Sequence, residues 1–235
     1  FSIMLTEFAV GRKNQLAAVG AYKSIDRRWT FAGLLGVFSG FLIMGFYPVV
    51  GGWALAYVFK VMGGLLGDIS LIGDTFSNFI TNPIAPLGWV AVYLLLNVAI
   101  VAKGISSGIE KAGKILMPLL FGILILIAVR GLMLPGAMSG MEFLFKPDFS
   151  KVNPQVVLAA LGQAFFSLSL GMGCMITYGS YLSKDTNIPE SSTVIPLIDT
   201  GVAHLAGLIV LPAVFAFGYE PSAGPGILFI TLPSV

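Results

Sequence analysis

The sequence predicts an all-α integral membrane protein, and three observations carry that prediction. Hydrophobic residues make up 57% of the 235 and charged residues only 10%, against roughly 25% charged in soluble domains. Mean hydropathy is +0.93. Apolar runs at 31–64, 87–102, 115–134, 156–182 and 194–217 each approach or exceed the ~20 residues that cross a bilayer as a helix. This excludes a soluble catalytic domain. A single cysteine, Cys174, excludes an internal disulfide framework, and its apolar setting favours a buried small hydrophobe over a reactive thiol. The net charge of +2 says little by itself, and no nucleic-acid partner is expected.

The elements follow in order, as one transmembrane domain with helices at about 1–11, 31–64, 87–103, 112–134, 155–182 and 192–218. The first run, 1–10, meets Gly11-Arg12-Lys13 too soon to span and reads as the second half of a helix. The last residues stop in mid-pattern without a polar tail, so the sequence is expected to be a fragment with a half helix and five full spans. A basic loop, 12–28, feeds the long second span, where Pro48 and Gly51-Gly52 predict a kink or close helix packing. An outer loop, 68–86, leads to a span that opens at Gly88-Trp89, an interfacial aromatic. The turn 104–111 precedes a span with Met117-Pro118, and 141–150 mixes aromatics with charge and should lie at the interface. No short repeat is present.

Lys and Arg set the orientation. Loops 12–28, 103–114 and 180–192 hold nine of the 13 basic residues, which places them on the cytoplasmic side. A multi-pass protein of the plasma (inner) membrane is expected.

The span 155–182 is poor helix material in its middle. Ser167-Leu168-Ser169-Leu170-Gly171-Met172-Gly173 lowers helix propensity, yet unpaired backbone groups in lipid cost several kcal/mol each. A break near 167–173 therefore has to line a cavity, as the broken helices of secondary transporters do.

Ionisable groups at apparent membrane depth need an explanation, since a carboxylate at a helix centre costs about 2.5–3.5 kcal/mol on insertion scales. Asp199 admits two: a hard-oxygen ligand for Na⁺ or H⁺, or a structural hydrogen bond to threonine or backbone. Glu7 can accept from N–H groups freed by the break. His204 follows Asp199 by five residues, about 140° around a helix, so the two do not readily share a site. A packing role for His204 stands beside a proton-coupling one, and the same spacing disfavours a hydrolase triad with Ser167 or Ser169. Tyr47, mid-span, needs a partner for its hydroxyl, either a substrate carboxylate or a neighbouring carbonyl.

Five motifs then carry a resemblance over essentially the whole chain: Glu7-Phe8-Ala9-Val10-Gly11-Arg12, Gly108-Ile109-Glu110-Lys111 with Met117-Pro118, Pro147-Asp148-Phe149-Ser150-Lys151, Gly162-Gln163-Ala164-Phe165-Phe166-Ser167-Leu168-Ser169-Leu170-Gly171 and Phe229-Ile230-Thr231-Leu232-Pro233. The sequence resembles the neurotransmitter:sodium symporter family, in its bacterial amino-acid transporter branch. The resemblance implies the leucine-transporter-type inverted-repeat fold, running from mid-helix 2 through helix 7 into the following outer loop, with the break in helix 6. Tyr47 resembles the tyrosine that bonds the substrate carboxylate and closes over the substrate with Phe166. Ile43 and Met172 would shape its apolar pocket. Phe166, Ser167 and Ser169 resemble positions whose backbone groups hold the substrate. Ser167 and Asp199 match two ligands of a Na⁺ ion, and Glu7 and Gln163 would support the break.

What the resemblance implies is Na⁺-coupled symport of a neutral, apolar amino acid by alternating access, with substrate, Na⁺ and the lipid bilayer as partners. It implies no enzymatic activity and leaves the oligomeric state open. The first and eighth helices of the family are not in this sequence, so the chain alone is expected not to transport. The alternative is an amino-acid sensor of the same fold, or an inactive fragment. Chloride-dependent animal members have Asn at the position of Asp199 and Ser where this chain has Ala203. A fixed carboxylate beside the cation can supply the charge that chloride otherwise brings. Uptake by the complete protein is therefore expected to persist when chloride is replaced by gluconate, and loss of uptake in that flux assay would contradict the reading.

Overall fold

The computed structural model describes residues 1–64, 72–216, 218, 229–230 and 233. Asp68 in the outer loop, Thr231 and Leu232 of the last motif, and Ser234 and Val235 lie outside the described residues. Among those described are ten α-helices and no strand: α1 (Ser2–Asn14), α2 (Ala18–Ile25), α3 (Thr30–Met62), α4 (Ile72–Thr81), α5 (Ala85–Val101), α6 (Lys111–Leu132), α7 (Ala137–Phe145), α8 (Pro154–Ser167), α9 (Cys174–Ser180) and α10 (Ile188–Ala216). By length and apolarity three helices are long enough to cross a membrane: 27–62, 107–132 and α10. Helices α4 and α5 reach that standard together, bent by 83° at the break between them. Contacts divide the chain into two units, Phe1–Gly45 with Asp148–Val202 and Phe46–Pro147 with Ala203–Val235.

The first unit is built on a backbone-to-backbone crossing. A Cβ added at Gly11 of α1 would fall on the Ile176 carbonyl of α9, and one at Gly179 of α9 would lie 2.7 Å from the Phe8 carbonyl of α1. Small residues of this kind let helices meet in a bilayer, where apolar side chains gain little by leaving lipid. Met4, Phe8, Leu170 and Ile188 close a core beside the crossing. Helix α2 docks through Ala18 and Ala21, three apart on one face, onto Ile176. Helix α3 follows, with an added Cβ 2.7 Å from Val19 at Gly33 and 3.1 Å from Met172 at Gly36.

The caps are local chemistry. Asn153 accepts from the Val156 N–H at 2.9 Å with Pro154 following it, which starts α8. Asn187 accepts from the Glu190 N–H at 3.2 Å while its amide donates to Glu190 Oε2 at 3.1 Å, a reciprocal start for α10.

In the second unit the Gly51-Gly52 pair brings α3 against α5, where added Cβ atoms would lie 2.5 Å from the Tyr93 ring and 2.8 Å from the Val90 nitrogen. Ala56, Tyr57, Phe76, Phe79 and Phe229 form its aromatic core. Gly140 of α7 meets α10 at Leu211 and Pro212, 2.6 Å from an added Cβ.

Several elements differ from the sequence reading. Helix α1 runs past Gly11 to Asn14 and leaves through Gln15 at φ 51°. The basic stretch 12–28 is not all loop: it contains α2, then a 3-10 turn at Arg27–Trp29 whose start Asp26 caps by accepting from the Arg28 N–H at 2.8 Å. The outer loop 68–86 contains α4, because Ile72, Phe76 and Phe79 recur at helical spacing and bury together. The turn after Gly104 is a π-helical segment, Ile105–Glu110. The segment 141–150 begins inside α7.

The crossing gives a sharp test. Gly11→Ala should cost about 1–3 kcal/mol through overpacking, read as a lower thermal midpoint in detergent, whereas Gly201→Ala, with open space at its Cβ, should not. Equal midpoints for the two variants would contradict the packing described.

Candidate functional site

The broken span is two helices, α8 ending at Ser167 and α9 beginning at Cys174. The end of α8 is a Schellman turn. The Leu170 N–H donates to the Phe165 carbonyl at 2.9 Å and the Ser169 N–H to that of Phe166 at 3.2 Å, the paired bonds that return the last carbonyls of a helix to partners. Leu170 and Phe165 also pack in the same core, the apolar contact that accompanies this turn.

The left-handed position of the turn is Ser169, at φ 53°, where glycine is the usual residue. Its half-buried hydroxyl makes no hydrogen bond among the described residues. Gly171 and Gly173 follow at φ 77° and 79°, so alternate residues of the break are left-handed. Only glycine fits at 173, where a Cβ would lie 2.6 Å from that of Ala18.

The next freed amide is met from outside the span. The Gly171 N–H donates to Glu7 Oε1 at 2.7 Å. Glu7 is buried, 7% exposed, and its Oε2 has no hydrogen-bond partner among the described residues. The α1–α9 crossing puts this carboxylate beside the break.

At the end of α8 the Ser167 hydroxyl faces the Asp199 carboxylate, 2.8 Å from Oδ1 and 2.7 Å from Oδ2. These residues are 32 apart in sequence and come from α8 and α10. One hydroxyl has one proton, so the near-equal distances describe a shared bond. Three hard oxygens in one place are the donor type that alkali and alkaline-earth cations prefer. No group of three His, Cys, Asp or Glu side chains clusters among the described residues, so further ligands of a cation would be hydroxyls, carbonyls or the substrate itself.

The other residues singled out in the sequence are distributed. Phe166 is exposed on α8, Met172 half-buried in the break and Ile43 half-buried on α3. Gln163 is exposed on α8 and makes no hydrogen bond among the described residues, so Glu7, not Gln163, bonds to the break. Tyr47 belongs to the second unit, where its ring meets Phe46 edge-on at 5.9 Å. His204 also lies in that unit, stacked at 6.4 Å on Phe145.

Sequence reasoning missed Arg12, whose Nη1 donates to the Thr186 carbonyl at 2.7 Å and reaches that of Lys184 at 3.4 Å. It ties the end of α1 to the loop between α9 and α10. Its place inside the Glu7 to Arg12 motif is the signal that could have marked it.

Ser169→Gly should relieve about 1 kcal/mol of left-handed strain and raise the thermal midpoint. A lower midpoint would show that Ser169 is held by an interaction the turn does not contain.

A family model, the sodium:neurotransmitter symporter family, matches residues 78–232. An uncharacterised sodium-dependent transporter of Bacillus subtilis is 44% identical over the whole chain and 53% of its own length. One from Haemophilus influenzae is 39% identical over 99% of the chain and 54% of its length. Among solved structures, MhsT in complex with L-phenylalanine matches with a TM-score of 0.92 and 47% identity, over 98% of this chain and 54% of that one. The chain thus spans about half the length of the relatives it matches, and its fold, helical among the described residues, is that of the MhsT structure.

Proposed function

The chain belongs to the sodium:neurotransmitter symporter family, and on that premise we propose that it forms part of an importer that couples the inward movement of Na⁺ to that of a neutral, apolar amino acid across the plasma membrane. The observation that carries the proposal is the Ser167 hydroxyl on both oxygens of Asp199, at the point where α8 ends and the backbone opens.

Each part of the site has a task in this reading. Asp199 supplies a fixed negative charge and Ser167 a neutral oxygen for the cation. The substrate carboxylate completes the cation's coordination, so each ligand strengthens the other's binding, which is the energetic content of coupling. Backbone groups at Phe166, Ser167 and Ser169 hold the amine and carboxylate. The family resemblance gives Tyr47 the part of the tyrosine that bonds a substrate carboxylate, and Ile43, Phe166 and Met172 receive the side chain. An apolar substrate is supported by those residues and by the L-phenylalanine bound in the MhsT structure. Because Asp199 brings its own charge to the cation, transport is chloride-independent. The Glu7–Gly171 bond holds the opened backbone in the conformation this requires.

Asp199→Asn in the complete transporter keeps the shape and removes the charge. Na⁺-dependent binding of a radiolabelled apolar amino acid should fall by about 5- to 150-fold, the loss expected for a coupling of 1–3 kcal/mol. Unchanged Na⁺-dependent binding would assign Asp199 a structural role, and wild-type binding without uptake into proteoliposomes would identify a sensor.

A further inference from the structure

The inner end of the first unit carries a charged surface that the transport site does not use. Between residues 12 and 29 there are five Lys and Arg and one acid, Asp26. Arg12 is engaged with the loop carbonyls of Lys184 and Thr186. Lys23, Arg27 and Arg28 are exposed, and their side chains make no hydrogen bond or ion pair among the described residues; the ion pairs recorded, Lys114–Glu110, Lys146–Glu142 and Lys151–Asp148, lie elsewhere.

These cations stand on a fixed scaffold. Helix α2 buries Ala18 and Ala21, which turns Lys23 outward. Ser24 Oγ lies 2.7 Å from Asn14 Oδ1 and 2.8 Å from the Ala21 carbonyl, tying the end of α2 to α1. The following turn is held by the Trp29 N–H on the Asp26 carbonyl at 2.9 Å, by the Arg28 N–H on Asp26 Oδ1, and by the Thr30 hydroxyl on the Arg27 carbonyl at 2.7 Å. The one carboxylate in the stretch is thus occupied by backbone. Apolar groups are interleaved with the charges: Ile25 is 56% exposed and Trp29 55%, its ring stacked on Phe31 at 5.9 Å. A helix long and apolar enough to cross a membrane starts at Arg27, so this group stands at the depth where indole rings and basic side chains meet lipid headgroups.

We propose that Lys23, Arg27 and Arg28, with Ile25 and Trp29 as apolar anchors, form a docking surface for anionic phospholipid headgroups of the cytoplasmic leaflet. Charge complementarity selects the occupant. Juxtamembrane basic clusters are drawn to anionic leaflets, and the exposed Ile25 and Trp29 fit the acyl boundary better than a soluble acidic partner. The inference rests on the inward placement of this loop and is independent of which solute is carried.

The complete transporter, purified in neutral detergent and offered equal phosphatidylglycerol and phosphatidylcholine of matched chains, provides the test, with retained lipids counted by native mass spectrometry. Wild type should favour phosphatidylglycerol by about tenfold, and the preference should shrink toward parity in molar salt. K23Q/R27Q/R28Q should lose most of it, while the charge-conserving K23R/R27K/R28K keeps it. Substrate binding, read in the same samples, separates a failure of this surface from a failure of the transport site. Equal retention of the two lipids by wild type, an undiminished preference in the neutralised variant, or displacement of the lipid by an acidic peptide at matched charge would each overturn the proposal. Should the neutralised variant fail to insert, the wild-type salt titration decides.

Discussion

A peptide group opened within hydrocarbon has to find its hydrogen bonds inside the protein, and the first unit is arranged around meeting that demand at one place. The Schellman bonds return the end of α8 to itself, and Glu7 meets the next amide. Glu7 reaches Gly171 only because α1 and α9 meet backbone to backbone, which requires glycine at 11 and 179. Bulk at either glycine would push the acceptor away from its donor. The buried Oε2 of Glu7 leaves one acceptor over, a demand for a donor that the described residues do not meet.

Electrostatics and helix geometry are joined in the same way at Asp199. The Asn187–Glu190 cap sets where α10 begins, and twelve residues, about 18 Å of helix, carry Asp199 from there to the end of α8. Ser167 is the last helical residue of α8, so its hydroxyl sits where the chain leaves regular structure. The carboxylate consequently meets a polar group at membrane depth, as a charge placed there requires.

Much of this could be read in the amino-acid order, for identifiable reasons. Long apolar runs mark α3, α6 and α10 because a bilayer demands length and apolarity together. The weak stretch 167–173 concentrates serine and glycine, and that composition coincides with the gap between α8 and α9. Helices α2 and α4 were less visible because they are only eight and ten residues long. What fixes them is burial of Ala18 and Ala21, or of Phe76 and Phe79, against partners that are distant in sequence. The Ser167–Asp199 approach was reachable only through the family resemblance, since no local pattern links residues 32 apart. The partners of Arg12 were hidden for a related reason: they are main-chain carbonyls, which any residues could supply, so the motif marks the arginine but not what it holds.

The hydrogen bond between Ser167 and Asp199 also bears on readiness. The hydroxyl proton satisfies the carboxylate, and the pair closes on itself. Donating that proton uses none of the lone pairs of the serine oxygen. In the proposed site the same hydroxyl would therefore hold the carboxylate and still offer a neutral oxygen to a cation. The donor geometry stands before any ion arrives, so little ordering is left to be done on binding.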